Sequence, residues 1–191
     1  MEHKFNSENI DLDLQLLREF CEQEGEEVCY RKGERMECEG EPANWFGFVT
    51  EGCFKYTARG IGDDKEHLTW FSFGDEFAGD YPACLYGRPS QTTIEAMMDS
   101  RIHRVSGEKL LAWFNKSMEL MKLHSLISNH LLGQARARYL DFFRATPRKR
   151  YELLMRRCPG IVQHLTLQDI ASFLNVTPKT ISMIRRDITF G

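Results

Sequence analysis

The residues best suited to chemistry lie near the C-terminus: Lys179, Ser182, Met183, Arg185 and Arg186, which fall outside the apolar i, i+3, i+7 set Ile181, Ile184 and Ile188. Side chains of this kind on one helix face suit hydrogen bonds to base edges and phosphates, not bond making. The six cysteines, Cys21, Cys29, Cys38, Cys53, Cys84 and Cys158, form no C-x-x-C pair and match no zinc spacing. They read as small buried hydrophobes of a reducing compartment. His67 and His103 stand alone, without the His-x-His pair and nearby carboxylate with which a jelly-roll enzyme of the cupin type holds a metal. No Ser-His-Asp or Cys-His arrangement is visible. The expectation is a protein that is not an enzyme and carries no metal and no cofactor.

The elements that would position the basic face are written around it. Thr166 is placed to cap a helix, and Asp169 stands three residues on, the spacing of a capping box. Ile170, Phe173 and Leu174 then share a helical face. Asn175 sits where a tight turn needs a residue tolerant of positive φ, and Val176 plugs the gap. Thr177-Pro178 is a second start signal, an N-cap followed by proline at the first helical position. This order predicts a helix-turn-helix whose second helix can lie in a DNA major groove. The candidate DNA contacts are Thr166, Gln168, Thr177, Pro178, Lys179, Thr180, Ser182, Met183, Arg185 and Arg186, with Arg148, Lys149 and Arg150 on a preceding segment as phosphate contacts.

Charge is distributed to match. Residues 133–191 hold eleven Lys and Arg against four Asp and Glu, a balance of +7. The preceding 132 residues hold fourteen against twenty-four, a balance of −10. The sequence pI near 6.1 thus hides a basic end on an acidic body. Phosphate is attracted to one end and repelled by the other, which sets orientation as well as affinity.

The 191 residues, 42% apolar and 12% aromatic, suffice for packed cores. No apolar run is long enough to cross a bilayer, and the polar N-terminus lacks a secretion signal. A soluble cytoplasmic protein is expected, with no membrane partner.

Residues 7–24 read as a first helix, with Leu12, Leu16, Leu17 and Phe20 on a shared face. From residue 27 to about 104, short alternating runs appear at residues 28–30, 45–50, 53–57, 67–73, 92–96 and 100–105. Each is bounded by a glycine-containing turn such as Lys32-Gly33 or Glu51-Gly52. Such punctuation indicates an antiparallel sandwich or jelly-roll barrel. From Gly107 the pattern is helical. A short helix over residues 108–114 precedes an uninterrupted run over 116–144, in which Leu120, Leu123 or His124, Ile127, Leu131 and Gln134 recur at three- and four-residue steps. At about 1.5 Å per residue that run spans roughly 43 Å. Leu120, His124, Ile127 and Leu131 are the candidate dimerisation residues, pairing in parallel with the same helix of a second subunit. Pro147 breaks the run, and residues 148–157 form a connecting helix. The expected class is α+β, in three parts: a sensor barrel with its N-terminal helix over 1–106, a linker and dimerisation helix over 107–145, and an all-α helix-turn-helix domain over 146–191.

This order of elements resembles the CRP/FNR family of bacterial transcription regulators. The resemblance is carried by Tyr30-Arg-Lys-Gly-Glu34, Glu39-Gly-Glu41, Phe48-Val-Thr-Glu-Gly52, Gly74-Asp-Glu-Phe-Ala-Gly79-Asp80 and the stretch from Asp169 to Ser182. It implies a cyclic-nucleotide-binding-like domain joined to DNA-binding helices in a homodimer. The implied partners are an inverted-repeat double-stranded DNA operator and RNA polymerase. The pocket it implies is formed by Gly79, Asp80, Ser90, Gln91 and Thr92. Family members that bind cyclic nucleotides pair a Gly-Glu with a following Arg-Ser or Arg-Thr, whose arginine neutralises the phosphate. Here the acid is Asp80 and the arginine position falls on Ser90. A buried phosphate would lack its counter-charge, so the expected effector, where there is one, is a small molecule other than cyclic AMP. The few residues after Ile188 leave no room for the family's C-terminal β-hairpin wing. At the positions of Pro178, Lys179 and Met183 the family often holds charged base readers, so the resemblance implies an altered operator. A small-molecule sensor module with a vestigial DNA arm remains the alternative.

Overall fold

The frequent glycine turns chop residues 26–106 into eight short strands, the central ones buried on both faces over much of their length. The structure, a computed structural model, describes residues 13–62, 65–158 and 161–190. The strands are β1 (Glu26–Tyr30), β2 (Arg35–Glu37), β3 (Trp45–Glu51), β4 (Cys53–Arg59), β5 (Glu66–Phe73), β6 (Glu76–Gly79), β7 (Thr93–Ala96) and β8 (Ser100–Ser106). They form two antiparallel four-stranded sheets, in the orders β1-β8-β3-β6 and β2-β7-β4-β5. Cross-strand partners include Phe48 with His103 and Tyr56 with Trp70. Tyr30, Val49 and Ile102 from the first sheet meet Phe54, Tyr56 and Ile94 from the second in one core. The expected jelly roll is therefore present as a two-sheet sandwich. Among the described residues no strand joins the two sheets into a closed barrel.

The six expected runs match β1, β3, β4, β5, β7 and β8, while β2 and β6 were not foreseen as strands. Both are short, three and four residues, and each lies inside a stretch dominated by turn residues.

Helix α1 (Gln15–Glu24) covers the sandwich with Leu17, Phe20 and Cys21, and Phe20 stacks on Trp113 at 4.4 Å. Leu16, expected on the buried face, points to solvent at 56% exposure. The earlier part of the expected helix, with Leu12, lies outside the described residues. Helix α2 (Gly107–Phe114) is capped by Ser106, and α3 (Met118–Arg144) by Ser117. At 27 residues α3 is about 40 Å long. Helix α4 (Pro147–Arg157) starts with proline at its first position and is capped by Thr146.

Helices α5 (Leu167–Phe173) and α6 (Pro178–Phe190) are the expected pair. Asn175 turns the chain between them at φ +51°. Their core is shared with the sandwich. Cys53, Leu68, Phe71 and Phe73 form one cluster with Tyr151, Leu154, Ile161, Leu165, Ile170, Leu174, Ile181 and Ile184. The Leu68 N–H donates to Ser172 Oγ at 2.9 Å, fixing α5 to β5. The helix-turn-helix is thus seated on the second sheet, not held apart from it.

Candidate nucleic-acid interface

The presentation of α6 begins with how its neighbours are capped. The Asp169 N–H donates to Thr166 Oγ1 at 3.1 Å and the Thr166 N–H donates to Asp169 Oδ2 at 2.9 Å, a reciprocal capping box. At the next start, the Thr180 N–H donates to Thr177 Oγ1 at 3.2 Å, and Thr177 and Thr180 hydroxyls lie 2.9 Å apart. Ile181 and Ile184 are buried behind α6. Ile188, expected with them, is 46% exposed, because the underlying core ends about one turn earlier.

The outward face holds Lys179, Ser182, Met183 and Arg186, all exposed, with Thr177 and Pro178 at its start. Thr166 and Gln168 are exposed at the start of α5, and Thr180 is half-buried. Ser182 Oγ donates back to the Pro178 carbonyl at 3.1 Å, so base contact would require it to turn away from its own helix. Arg186 lies 3.7 Å from Asp187.

Four more of the expected DNA contacts have other partners. Arg185 Nε donates to Tyr151 Oη at 3.1 Å, and its guanidinium lies 5.9 Å from that ring, so Arg185 ties α6 to α4. Arg148 and Lys149 both reach Glu152, at 3.1 and 3.7 Å, while remaining more than half exposed. Exposed pairs of this kind hold little energy and release readily. Arg150 is different. It donates from Nη1 to the Phe142 and Ala145 carbonyls at 3.4 and 3.1 Å, and from Nη2 to the Leu174 carbonyl at 3.1 Å. Those oxygens belong to the C-terminal ends of α3 and α5, where carbonyls lack helical partners and the dipole is negative. Arg150 is a clamp between helix ends. Composition alone could not separate it from its two neighbours; its apolar surroundings set it apart.

In the sandwich, a cavity of about 730 Å³ opens between the sheets and α3. Gly79, Asp80 and Thr92 line it, as do Phe46, Tyr81 and Leu131, whereas Ser90 is buried behind the wall and Gln91 is exposed. Gly79 has φ +152°, and a Cβ there would meet the Trp45 carbonyl at 2.8 Å. The Asp80 carboxylate is already occupied. It accepts from Ser90 Oγ at 2.8 Å and from the Gln91 N–H at 2.7 Å. Beneath it the Gly79 N–H donates to Tyr56 Oη at 3.0 Å, and Tyr56 is 3.0 Å from Ser72 Oγ. Burial pushes the Tyr56 phenol well above its ordinary value, so it stays neutral.

The local field is negative. Burial raises the Glu37 carboxyl, opposed by the N–H groups of Asn44 and Trp45, and the nearby Asp80 charge raises it further. The buried Cys84 thiol is pushed up to about 12, first by desolvation and then by Asp80 and Glu37. Arg88, the nearest arginine in sequence to the expected phosphate position, is exposed and lies over the Tyr86 ring at 5.3 Å. His130, which sequence reasoning did not select, lines the cavity, and its Nε2 is buried without a hydrogen-bond partner among the described residues. Its i, i+3 spacing from Ile127 was the available signal.

The long helix also differs in its facing. Leu120, Ile127 and Leu131 pack against the sandwich, and His124 stacks on Phe114 at 4.7 Å and meets Tyr81 edge-on at 5.9 Å. The residues expected for pairing are thus engaged within the chain. The exposed apolar residues of α3 are others, among them Met118, Met121, Leu132, Tyr139 and Phe143. No helix among the described residues is long and apolar enough to cross a membrane, and none of their His, Cys, Asp and Glu groups converge as metal ligands.

No protein-family model and no curated protein matches the chain. Its architecture, however, is shared with solved regulators. FixK2 from Bradyrhizobium japonicum superposes with a TM-score of 0.73 at 21% identity, over 86% of this chain and 84% of that one. CooA from Carboxydothermus hydrogenoformans gives 0.69 at 16% identity, covering 95% and 85%. CLP, the c-di-GMP responsive global regulator of Xanthomonas campestris, gives 0.66 at 15%, covering 93% and 92%. The fold is CRP/FNR-like, as the resemblance in sequence implied.

Proposed function

We propose that the chain is a homodimeric, sequence-specific DNA-binding transcription regulator. The observation that carries this reading is α6: two buried isoleucines dock its back, while Lys179, Ser182, Met183 and Arg186 face solvent, and Arg148 and Lys149 of α4 are likewise exposed. Thr166, Gln168, Thr177, Pro178 and Thr180 frame that face. Lys179 suits guanine O6 and N7, and Met183 suits a thymine methyl. Residues 1–106 sense, 107–145 link and dimerise, and 146–191 bind DNA. RNA polymerase is the further partner in that scheme.

Dimerisation runs along the exposed side of α3, through Met118, Met121, Leu132, Tyr139 and Phe143, a stripe long enough to pair with a second copy. Leu132→Glu is expected to lower the sedimentation coefficient to that of a monomer without unfolding the chain; an unchanged value refutes this placement. A charge at Ile127 would instead disrupt the chain's own core.

The effector of the 730 Å³ cavity is an uncharged molecule with an aromatic body, not cyclic AMP. Asp13, Asp75, Glu76 and Asp80 on its lining outnumber Arg18, which disfavours a phosphate, and His130 Nε2 offers the hydrogen bond. Selection from a random double-stranded DNA pool with purified protein tests the main reading. An inverted repeat with half-sites about one helical turn apart is expected; no enrichment by folded protein, with or without cell extract, favours a vestigial DNA arm. Lys179→Ala should cost about 1–3 kcal/mol at one base position. Equal loss across all sequences would remove its base-reading role.

A further inference from the structure

Where the sandwich meets the helices, β5, α3, α4 and α5 enclose a second cavity of about 540 Å³. This is the volume of a small-molecule site, and joints between structural units are common places for one. Its walls are largely apolar, with Trp70, Phe142, Leu153 and Phe173 among them. Arg138 and Arg150 also line it, against a single carboxylate, Asp141. Arg138 lies over the Trp70 ring at 3.3 Å from its centroid and 5.6 Å from that of Phe173, presenting its charge beside the rings.

Arg150 gives the sharper clue. Its two terminal nitrogens go to three carbonyl oxygens, whose partial negative charge at the helix ends offsets only part of a full cation. Its Nε is buried with no hydrogen-bond partner among the described residues. A donor of a permanent cation left without an acceptor is costly, and an anion placed beside it removes that cost. The balance of two guanidinium groups and one carboxylate calls for one negative charge, and the rings call for an apolar, flat body.

We propose that this cavity binds an amphipathic monoanion, a carboxylate or sulfonate carried on an aromatic body, with its head beside Arg138 and Arg150. The site adjoins the cavity of the sandwich, with which it shares Thr69, Trp70 and Ala135. Its occupant would touch Trp70 of β5 and Phe173 of α5 together, adding contact across the joint that the Leu68–Ser172 hydrogen bond spans.

The test uses the full chain and 8-anilinonaphthalene-1-sulfonate, an aromatic monoanion whose fluorescence rises in apolar sites. One saturable equivalent per chain is expected. Leu153→Trp, which fills the cavity, should weaken binding at least tenfold. Arg138→Met keeps the apolar stem but removes the charge; it should weaken the sulfonate severalfold and leave unaffected the share of neutral N-phenyl-1-naphthylamine binding that Leu153→Trp removes. Each variant is first shown to unfold cooperatively. Multiple weak sites, undiminished binding by Leu153→Trp, or equal loss of charged and neutral probes on Arg138→Met would each overturn the proposal.

Discussion

The sandwich cavity and the outer face of α6 treat their polar groups in opposite ways. Around Gly79 and Asp80 the donors and acceptors are spent on one another: Asp80 on Ser90 and Gln91, Tyr56 on Gly79 and Ser72. On α6, Lys179, Met183 and Arg186 are left in solvent, and the hydrogen bonds that fix the helix come from Thr177 and from the buried Arg185–Tyr151 contact behind it. A surface that holds its side chains in solvent, tied by nothing stronger than the exposed Arg186–Asp187 pair, suits a partner of many charges. A cavity that has closed its polar network admits only what asks for little hydrogen bonding. Under the proposed function, this difference would leave charge recognition to the helices and the sandwich to a neutral ligand.

The strongest way to break this contrast is to remove the support behind α6. Ile181 is fully buried in the cluster shared by β5, α4, α5 and α6. Ile181→Ala should cost about 2–5 kcal/mol, and DNA binding should fall with it. Because that cluster includes Leu68, Phe71 and Phe73, thermal unfolding should shift as one transition. A helix-turn-helix that melted separately, with the sandwich unaffected, would show the two regions to be independent.

Arg150 comes next. It was expected to act on phosphate, and the structure gives it three carbonyls at helix ends instead. Hydrogen bonds from a charged donor are worth about 1.5–3 kcal/mol, so Arg150→Gln should lower stability by an amount in that range. Lys149→Gln should leave stability nearly unchanged and flatten the salt dependence of DNA binding. If Arg150→Gln flattened the salt slope without lowering the unfolding midpoint, the clamp would be refuted and the phosphate role restored.

These residues show what the linear pattern can convey. The capping box at Thr166, the turn at Asn175 and the proline start at Pro178 are local, set by neighbours within four residues, and all were legible. So were six of the strands, whose alternation is also local. The strands β2 and β6 were missed because three or four residues carry too little periodicity, and what orders them is pairing with β7 and β3. The facing of α3 was illegible for a related reason. Apolar residues occur nearly all round it, and only the position of the sandwich decides that Ile127 is covered and Leu132 is not. The division between Arg148 and Arg150 likewise depends on which carbonyls lie nearby.

The smallest expected effect concerns how the sandwich holds α3. His124 is packed between Phe114 and Tyr81, and burial lowers its pKa below the ordinary value. Above about pH 6.5, the unperturbed value, the imidazole is neutral in both states and contributes no pH dependence. As the pH falls below that value the unfolded chain takes up a proton that the folded chain resists, so stability declines until the lower folded value is passed. His124→Phe keeps a ring in the stack and removes the titration. Between pH 7.5 and 5.5 the unfolding midpoint of the variant should therefore fall less steeply than that of the natural chain. Parallel slopes would show that the imidazole titrates as freely as in the unfolded chain, and the sandwich end would then lose its one expected proton-sensitive contact with α3. A difference confined to unfolding, with DNA affinity of the folded protein unchanged over the same range, would sharpen the contrast, since it would locate the titration on the side of the molecule that the α6 face does not use.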